Sequence, residues 1–261
     1  MTRIAIALEY DGKAFLGWQS QPHGQSVQDV LEHALMRLGG KPIRAHAAGR
    51  TDAGVHASKQ IAHFDVDVNR PITAWVRGVN SFLPDGLAVL WAREVPETFH
   101  ARFSAMARHY RYILLNHSVR PGIQAGKIGW HHTPLNVENM QAAANHLLGE
   151  HDFSSFRAAD CQAKSPIKVM HQFDLQRVGD LIICDTSASG YLHHMVRNIM
   201  GTLVHIGKGA QPPEYMKQLI AVRNRTIAPP TFMPDGLYFT GVTYPDSFDL
   251  DTLPTFRHGL I

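Results

Sequence analysis

A chain of 261 residues, 44% hydrophobic and 18% charged, is long enough to bury a real core, and its composition excludes disorder as the main state. No segment approaches the roughly 20 apolar residues of a membrane helix, and Met1-Thr2-Arg3-Ile4 lacks the regions of a secretion signal, so a cytoplasmic location is expected. A net charge of +3 with Arg outnumbering Lys admits a nucleic-acid partner without requiring one, and Cys161 and Cys184 show neither metal-finger nor CxxC spacing.

Alternation of Ile4, Ile6 and Leu8 predicts a half-buried strand over residues 3–9. A long loop from Tyr10-Asp11-Gly12 follows. Ser26 with Asp29 forms a capping-box start, and Val27, Val30, Leu31, Ala34, Leu35 and Leu38 then recur at helical spacing up to Gly39. Strands are expected over 43–48, 59–66 and 86–95, with a helix from Pro71 to about Phe82. In the second half, residues 108–116 alternate with Tyr110 and Tyr112 on one face. Asn136 caps a helix reaching Gly149, and 168–187 reads as two strands joined near Gly179-Asp180. Leu192, Met195, Val196, Ile199 and Leu203 mark an amphipathic helix, Pro212 opens a short one, and 237–243 is a last strand. Helices do not alternate strictly with strands, so the fold class is α+β. The halves are expected at 1–105 and 106–245, followed by an irregular tail over 246–261.

Three segments could carry chemistry. In Gly49-Arg50-Thr51-Asp52-Ala53-Gly54-Val55-His56, two glycines bracket a loop holding a cation, a hydroxyl, a carboxylate and an imidazole. The carboxylate suits a covalent nucleophile or a base; the plainer reading is a β-turn in which Asp52 caps backbone amides. In Arg108-His109-Tyr110-Arg111-Tyr112, a tyrosine beside basic residues makes a platform for a base, or else simply packs the core. In His193-His194-Met195-Val196-Arg197-Asn198, helical spacing places His193, Arg197 and Gly201 opposite the apolar stripe. Arg197 therefore faces solvent or a cleft. A metal site from the His pair is disfavoured, because adjacent helical residues diverge. Gly201 to Gly209 fails the Walker spacing.

Together these segments resemble the tRNA pseudouridine synthase I family, whose members modify uridines of the anticodon stem-loop. The resemblance also includes Phe15, Gly17-Trp18-Gln19, the run from Phe99 to Ala105, and Gly236-Leu237-Tyr238, in the same order across nearly the whole chain. His109 departs where the family often has Arg, which touches one phosphate contact. Phe239 departs where Leu is common, a tolerable change of volume.

The resemblance implies two similar α/β-sandwich halves with mainly antiparallel sheets joined side by side and an active cleft between them. It implies Asp52 as the catalytic aspartate, Tyr110 as the aromatic stacked on the target base, and Arg197 as the basic partner of Asp52. Arg50 would hold the flipped nucleotide and Leu237 would line an apolar wall. It implies a homodimer acting on tRNA positions 38 to 40, without metal or cofactor. A carboxylate that attacks carbon must be ionised, and a guanidinium favours that form, so an Asp52–Arg197 ion pair is expected. Three roles stay open for Asp52: attack on C1′, attack on C6 of uracil, or abstraction of the C2′ proton. Tyr110 or a water could take the final C5 proton. Two other classes remain in view, a non-catalytic RNA-binding module or tRNA chaperone, and a metal-dependent hydrolase built on the His pairs.

Overall fold

Ile4, Ala5, Ile6, Ala7 and Leu8 are buried in the first strand, β1 (Thr2–Tyr10). Consecutive side chains of a strand point to opposite faces, so both faces of β1 are covered. The computed structural model describes residues 1–250 and divides the chain into two compact units. One comprises Met1–Arg108 with the chain from Tyr238, and the other comprises His109–Leu237.

In the first unit, β1 lies between β3 (His56–Val66) and β4 (Leu87–Val95), antiparallel to both. The short β2 (His46–Ala47) pairs with β3 through His63 and Ala62. Helix α1 (Val27–Gly39) starts at the expected capping box, with Ser26 and Asp29 satisfying each other's backbone N–H groups, and ends at Gly40 in the left-handed region. It buries Val27, Leu31, Ala34 and Leu35. Helix α2 (Ala74–Asn80) is shorter than Pro71–Phe82, because Pro71 and Ile72 form a turn ahead of it. The strand expected over 43–48 is reduced to the two residues of β2; Ile43 and Ala45 are buried without a ladder.

The last strand, β10 (Leu237–Thr243), changes the linear partition at residues 106–245. Tyr238 and Phe239 pair in parallel with His56 and Ala57 of β3. β2 occupies only part of that edge, and the remaining backbone groups take the returning chain as partner. In the tail, Asp246–Phe248 forms a single 3-10 turn, Arg93 pairs with Asp249, and the Phe248 ring meets Phe99 at 5.2 Å. Residues 251–261 of the expected irregular tail lie outside the described residues.

In the second unit, β5 (Ala107–Asn116) carries β6 (Gly129–His131) in parallel. Beside it lie β9 (Leu181–Ala188), β8 (Ile167–Val178) and the short β7 (Gly149–Asp152), in that order. β8 and β9 form the expected hairpin, turning at Gly179 with φ of 59°. Helix α3 (Val137–Asn145) is capped by Asn136 as expected but stops before Gly149, which opens β7. Helix α4 (Met195–Gly207) crosses α3 closely, since a Cβ on Gly207 would lie 2.7 Å from the Met140 sulfur. Helix α5 (Tyr215–Val222) completes the set. No helix among the described residues is long and apolar enough to cross a membrane.

Candidate active site

The loop carrying Asp52 is held by hydrogen bonds from neighbouring segments. Thr51 and Val55 are buried and anchor the segment, whereas Arg50 is exposed and Asp52 half-buried. The hydroxyls of Thr51 and Tyr10 are 2.8 Å apart. The Thr51 carbonyl accepts the Trp18 N–H at 3.0 Å, and the Gly49 carbonyl accepts Gln60 Nε2 at 2.8 Å. A backbone turn closes from Val55 N–H to the Asp52 carbonyl at 3.1 Å, with Gly54 at φ of 80°. The turn that the plainer reading expects is present in the backbone, closed through the Asp52 main-chain carbonyl. It does not compete with a chemical role, since the turn leaves the carboxylate partly accessible.

Two further segments press against the loop. A Cβ on Gly12 would lie 2.1 Å from the Val55 carbonyl oxygen, so only glycine fits there. Gly17, at φ of 81°, also passes close to the Thr51 carbonyl oxygen, 2.9 Å from where a Cβ would stand. The Gly12 N–H donates to Nδ1 of the buried His56 at 3.0 Å. The His56 ring stacks on Tyr238 with centroids 4.6 Å apart. Burial, with the Asp11 charge as a lesser cause, pushes the Tyr238 phenol up to about 12. Tyr10-Asp11-Gly12, Gly17-Trp18, Gly49 to His56 and Tyr238 are thus parts of one construction. The supporting role of His56 was not anticipated; its place at the end of the Asp52 loop was the available signal.

The other candidates belong to the second unit. Tyr110 on β5 is buried and meets Tyr191 edge-on, with ring centroids 4.9 Å apart at 79°. Tyr191 was not singled out from sequence, although it stands two residues before His193; its hydroxyl lies 3.0 Å from Thr186 Oγ1. Tyr112 shares the face of Tyr110 but is wholly core. Its hydroxyl donates to the Met233 carbonyl at 2.8 Å, and burial raises its pKa well above that of an ordinary phenol. On the opposite face, Arg111 forms a bidentate pair with Asp185 at 2.8 and 2.9 Å. Leu237 is buried at the start of β10.

Arg197 is half-buried on α4. Its Nε donates to the Phe232 carbonyl at 3.0 Å, and its own carbonyl accepts the Phe232 N–H at 3.1 Å. Its relation to His193 differs from the expected helical spacing, because α4 begins at Met195 and both histidines precede it. His194 takes a left-handed φ of 62°, which folds the two rings together at 3.9 Å instead of splaying them about a helix axis. His193 Nδ1 lies 2.9 Å from an Asp160 carboxylate oxygen. Gly201, two turns further on, lets the Pro230 carbonyl approach to 2.2 Å of where a Cβ would stand.

Comparison with known proteins places the chain in a family. A family model described as tRNA pseudouridine synthase matches residues 6–104 and 143–245. The chain is 59% identical over 249 residues to tRNA pseudouridine synthase A of Chromobacterium violaceum, covering 95% of each protein. It is 58% identical to the protein of the same name from Thiobacillus denitrificans, covering 96% of each. To that of Dechloromonas aromatica it is 55% identical, covering 99% of each. The chain belongs to the tRNA pseudouridine synthase family, a family of isomerases.

Proposed function

We propose that this protein isomerises uridine to pseudouridine in tRNA, at positions 38 to 40 of the anticodon stem-loop, with Asp52 as the catalytic carboxylate. The observation that carries the assignment is the loop itself. A half-buried carboxylate is presented on a turn whose neighbours, Thr51 and Val55, are fixed by Tyr10, Trp18 and the close approach of Gly12. Near full-length kinship with proteins named tRNA pseudouridine synthase A supports the substrate.

The reaction breaks the bond from C1′ to N1, rejoins C1′ to C5, sheds the C5 proton and protonates N1. Nothing is oxidised and no group is imported, so the chemistry asks for neither a redox cofactor nor a phosphate donor. The target base must first leave its stack, at a cost of a few kcal/mol. Stacking on Tyr110 and contacts from Arg50 offset that cost, and Leu237 supplies apolar wall. Asp52 acts on C1′, on C6 or on the C2′ proton, with Arg197 as its basic partner. The protein works as a homodimer.

The test uses tRNA transcripts tritiated at C5 of uridine, with the modified positions mapped afterwards. Release of tritium with pseudouridine confined to positions 38 to 40 is expected. Release with pseudouridine elsewhere would overturn the site assignment, and tRNA binding without release would favour the RNA-binding module.

A further inference from the structure

The segment from Phe99 to Met106 has a construction that the account of Asp52 does not use. Its backbone is fixed at nearly every step. The His100 N–H donates to Ser104 Oγ at 2.9 Å, and the Ser104 N–H returns to the His100 carbonyl at 2.9 Å. The N–H groups of Arg102 and Phe103 both donate to His100 Nδ1, at 3.1 and 3.3 Å. Ala101 is held at both ends: its N–H donates to Nδ1 of the buried His63 at 3.1 Å, and its carbonyl accepts the Tyr244 hydroxyl at 2.7 Å. Arg108 spans from the Arg102 carbonyl at 2.5 Å to the Ala48 carbonyl at 3.3 Å. Ala48 stands two residues before Arg50, so the segment is tied to the chain that leads into the Asp52 loop.

What this frame displays is an aromatic ring. Phe103 is 76% exposed, and so constrained a backbone gives it no route into the core. The His100 ring lies against it with centroids 4.3 Å apart and planes 33° apart. The Arg102 guanidinium carbon is 5.6 Å from the ring centre, and His46 stands 5.6 Å from His100. The cation beside the ring is the Arg102 guanidinium, which favours an anion there. Aromatic faces flanked by guanidinium groups stack on unpaired bases while the cation meets the backbone phosphate.

We propose that Phe103 and Arg102, seated on His100, form a docking site for an unpaired nucleotide of the RNA substrate, separate from the residues assigned to the target uridine. The identity of that RNA rests on the functional reading above. Phe103 takes the face of the base and Arg102 the adjacent phosphate. Burial and the nearby His46 and Arg3 hold the His100 imidazole below its ordinary pKa, so Arg102 supplies the cation at neutral pH.

The test is equilibrium binding of unmodified tRNA transcript to the full-length protein at several salt concentrations, beside initial rates of tritium release. The parent is compared with Phe103→Ala, Phe103→Tyr and Arg102→Ala. Phe103→Ala is expected to weaken binding on the order of 5- to 100-fold with an unchanged salt slope, and Phe103→Tyr to stay within about threefold of the parent. Arg102→Ala is expected to reduce the slope of log affinity against log salt by about 1. For Phe103→Ala the loss should fall on KM more than on kcat. Unaltered melting of these surface variants confirms that the fold is intact. Phe103→Ala binding within about twofold of the parent overturns the proposal. A parent that binds tRNA but releases no tritium overturns the functional reading, while the binding comparison still decides the docking site.

Discussion

The hydroxyl of Tyr10 and Oγ1 of Thr51 lie 2.8 Å apart in a place almost closed to water, with Tyr10 4% and Thr51 6% exposed. The end of β1 thereby holds the residue next to Asp52. Burial pushes the Tyr10 phenol up to about 12, against the smaller effects of its bonds to Thr51 and Gln60, so the hydroxyl stays protonated at working pH. Tyr10→Phe keeps the ring and leaves the Thr51 hydroxyl buried without its partner. Urea denaturation should show a loss of about 1–2 kcal/mol. Turnover should fall further than tRNA affinity, because the variant disturbs the aim of the carboxylate. Equal losses in both would detach Tyr10 from the Asp52 loop.

Gly12→Ala places a methyl 2.1 Å from the Val55 carbonyl oxygen, which belongs to backbone and cannot swing aside. Overpacking of this kind costs about 1–3 kcal/mol. The displaced loop should lower turnover while tRNA still binds. Gly122→Ala is the control, since nothing lies within 4 Å of its Cβ and its stability should change by less than about 0.5 kcal/mol. A Gly12→Ala protein with full activity would show that the loop does not need this contact.

His63 gives a pH signature. Burial above all, then His100 and Arg3, lowers its pKa from 6.5 to about 4. The unfolded chain therefore takes up the proton first. The contribution to stability is complete above pH 6.5 and declines as pH falls toward 4. At pH 5 it should amount to a loss of about 2 kcal/mol relative to pH 7.5. His63→Gln, which can still accept the Ala101 N–H, should show a shallower decline between those pH values in urea melts. An identical decline in parent and variant would assign the acid sensitivity to other groups.

Arg111 is engaged by Asp185 on the neighbouring strand, and each side chain is about one-third exposed, so solvent screens the pair. Arg111→Met should cost no more than about 1 kcal/mol, less in high salt, and leave the salt dependence of tRNA binding as it was. A salt slope reduced by about 1 would instead make Arg111 a phosphate contact.

The elements that were legible in the sequence are those with long, regular patterns. α1 was readable from Ser26, Asp29 and the stripe through Leu35, and the β8–β9 hairpin from its Gly179 turn. β6 and β7 were not, because three or four residues on a sheet edge show no periodicity. Nor was the return of Tyr238 to β3, a long-range pairing that leaves no local trace. Within the candidate site, Asp52 stood out because a carboxylate between two glycines is a local pattern. The supporting role of His56, and Tyr191 altogether, did not stand out, since each acts through a partner distant in sequence, Gly12 and Tyr238 for one and Tyr110 for the other. The helical reading of His193 failed because a single left-handed residue, His194, ends the periodicity on which it relied.

The most direct test is the pair of measurements made on Asp52→Asn: tritium release from tRNA labelled at C5 of uridine, and equilibrium binding of the same tRNA. The substitution preserves size and removes the charge. Release reduced to background, with binding and melting close to the parent, is the result expected of a catalytic carboxylate. Release that survives in Asp52→Asn would contradict that role and leave Asp52 as a turn residue.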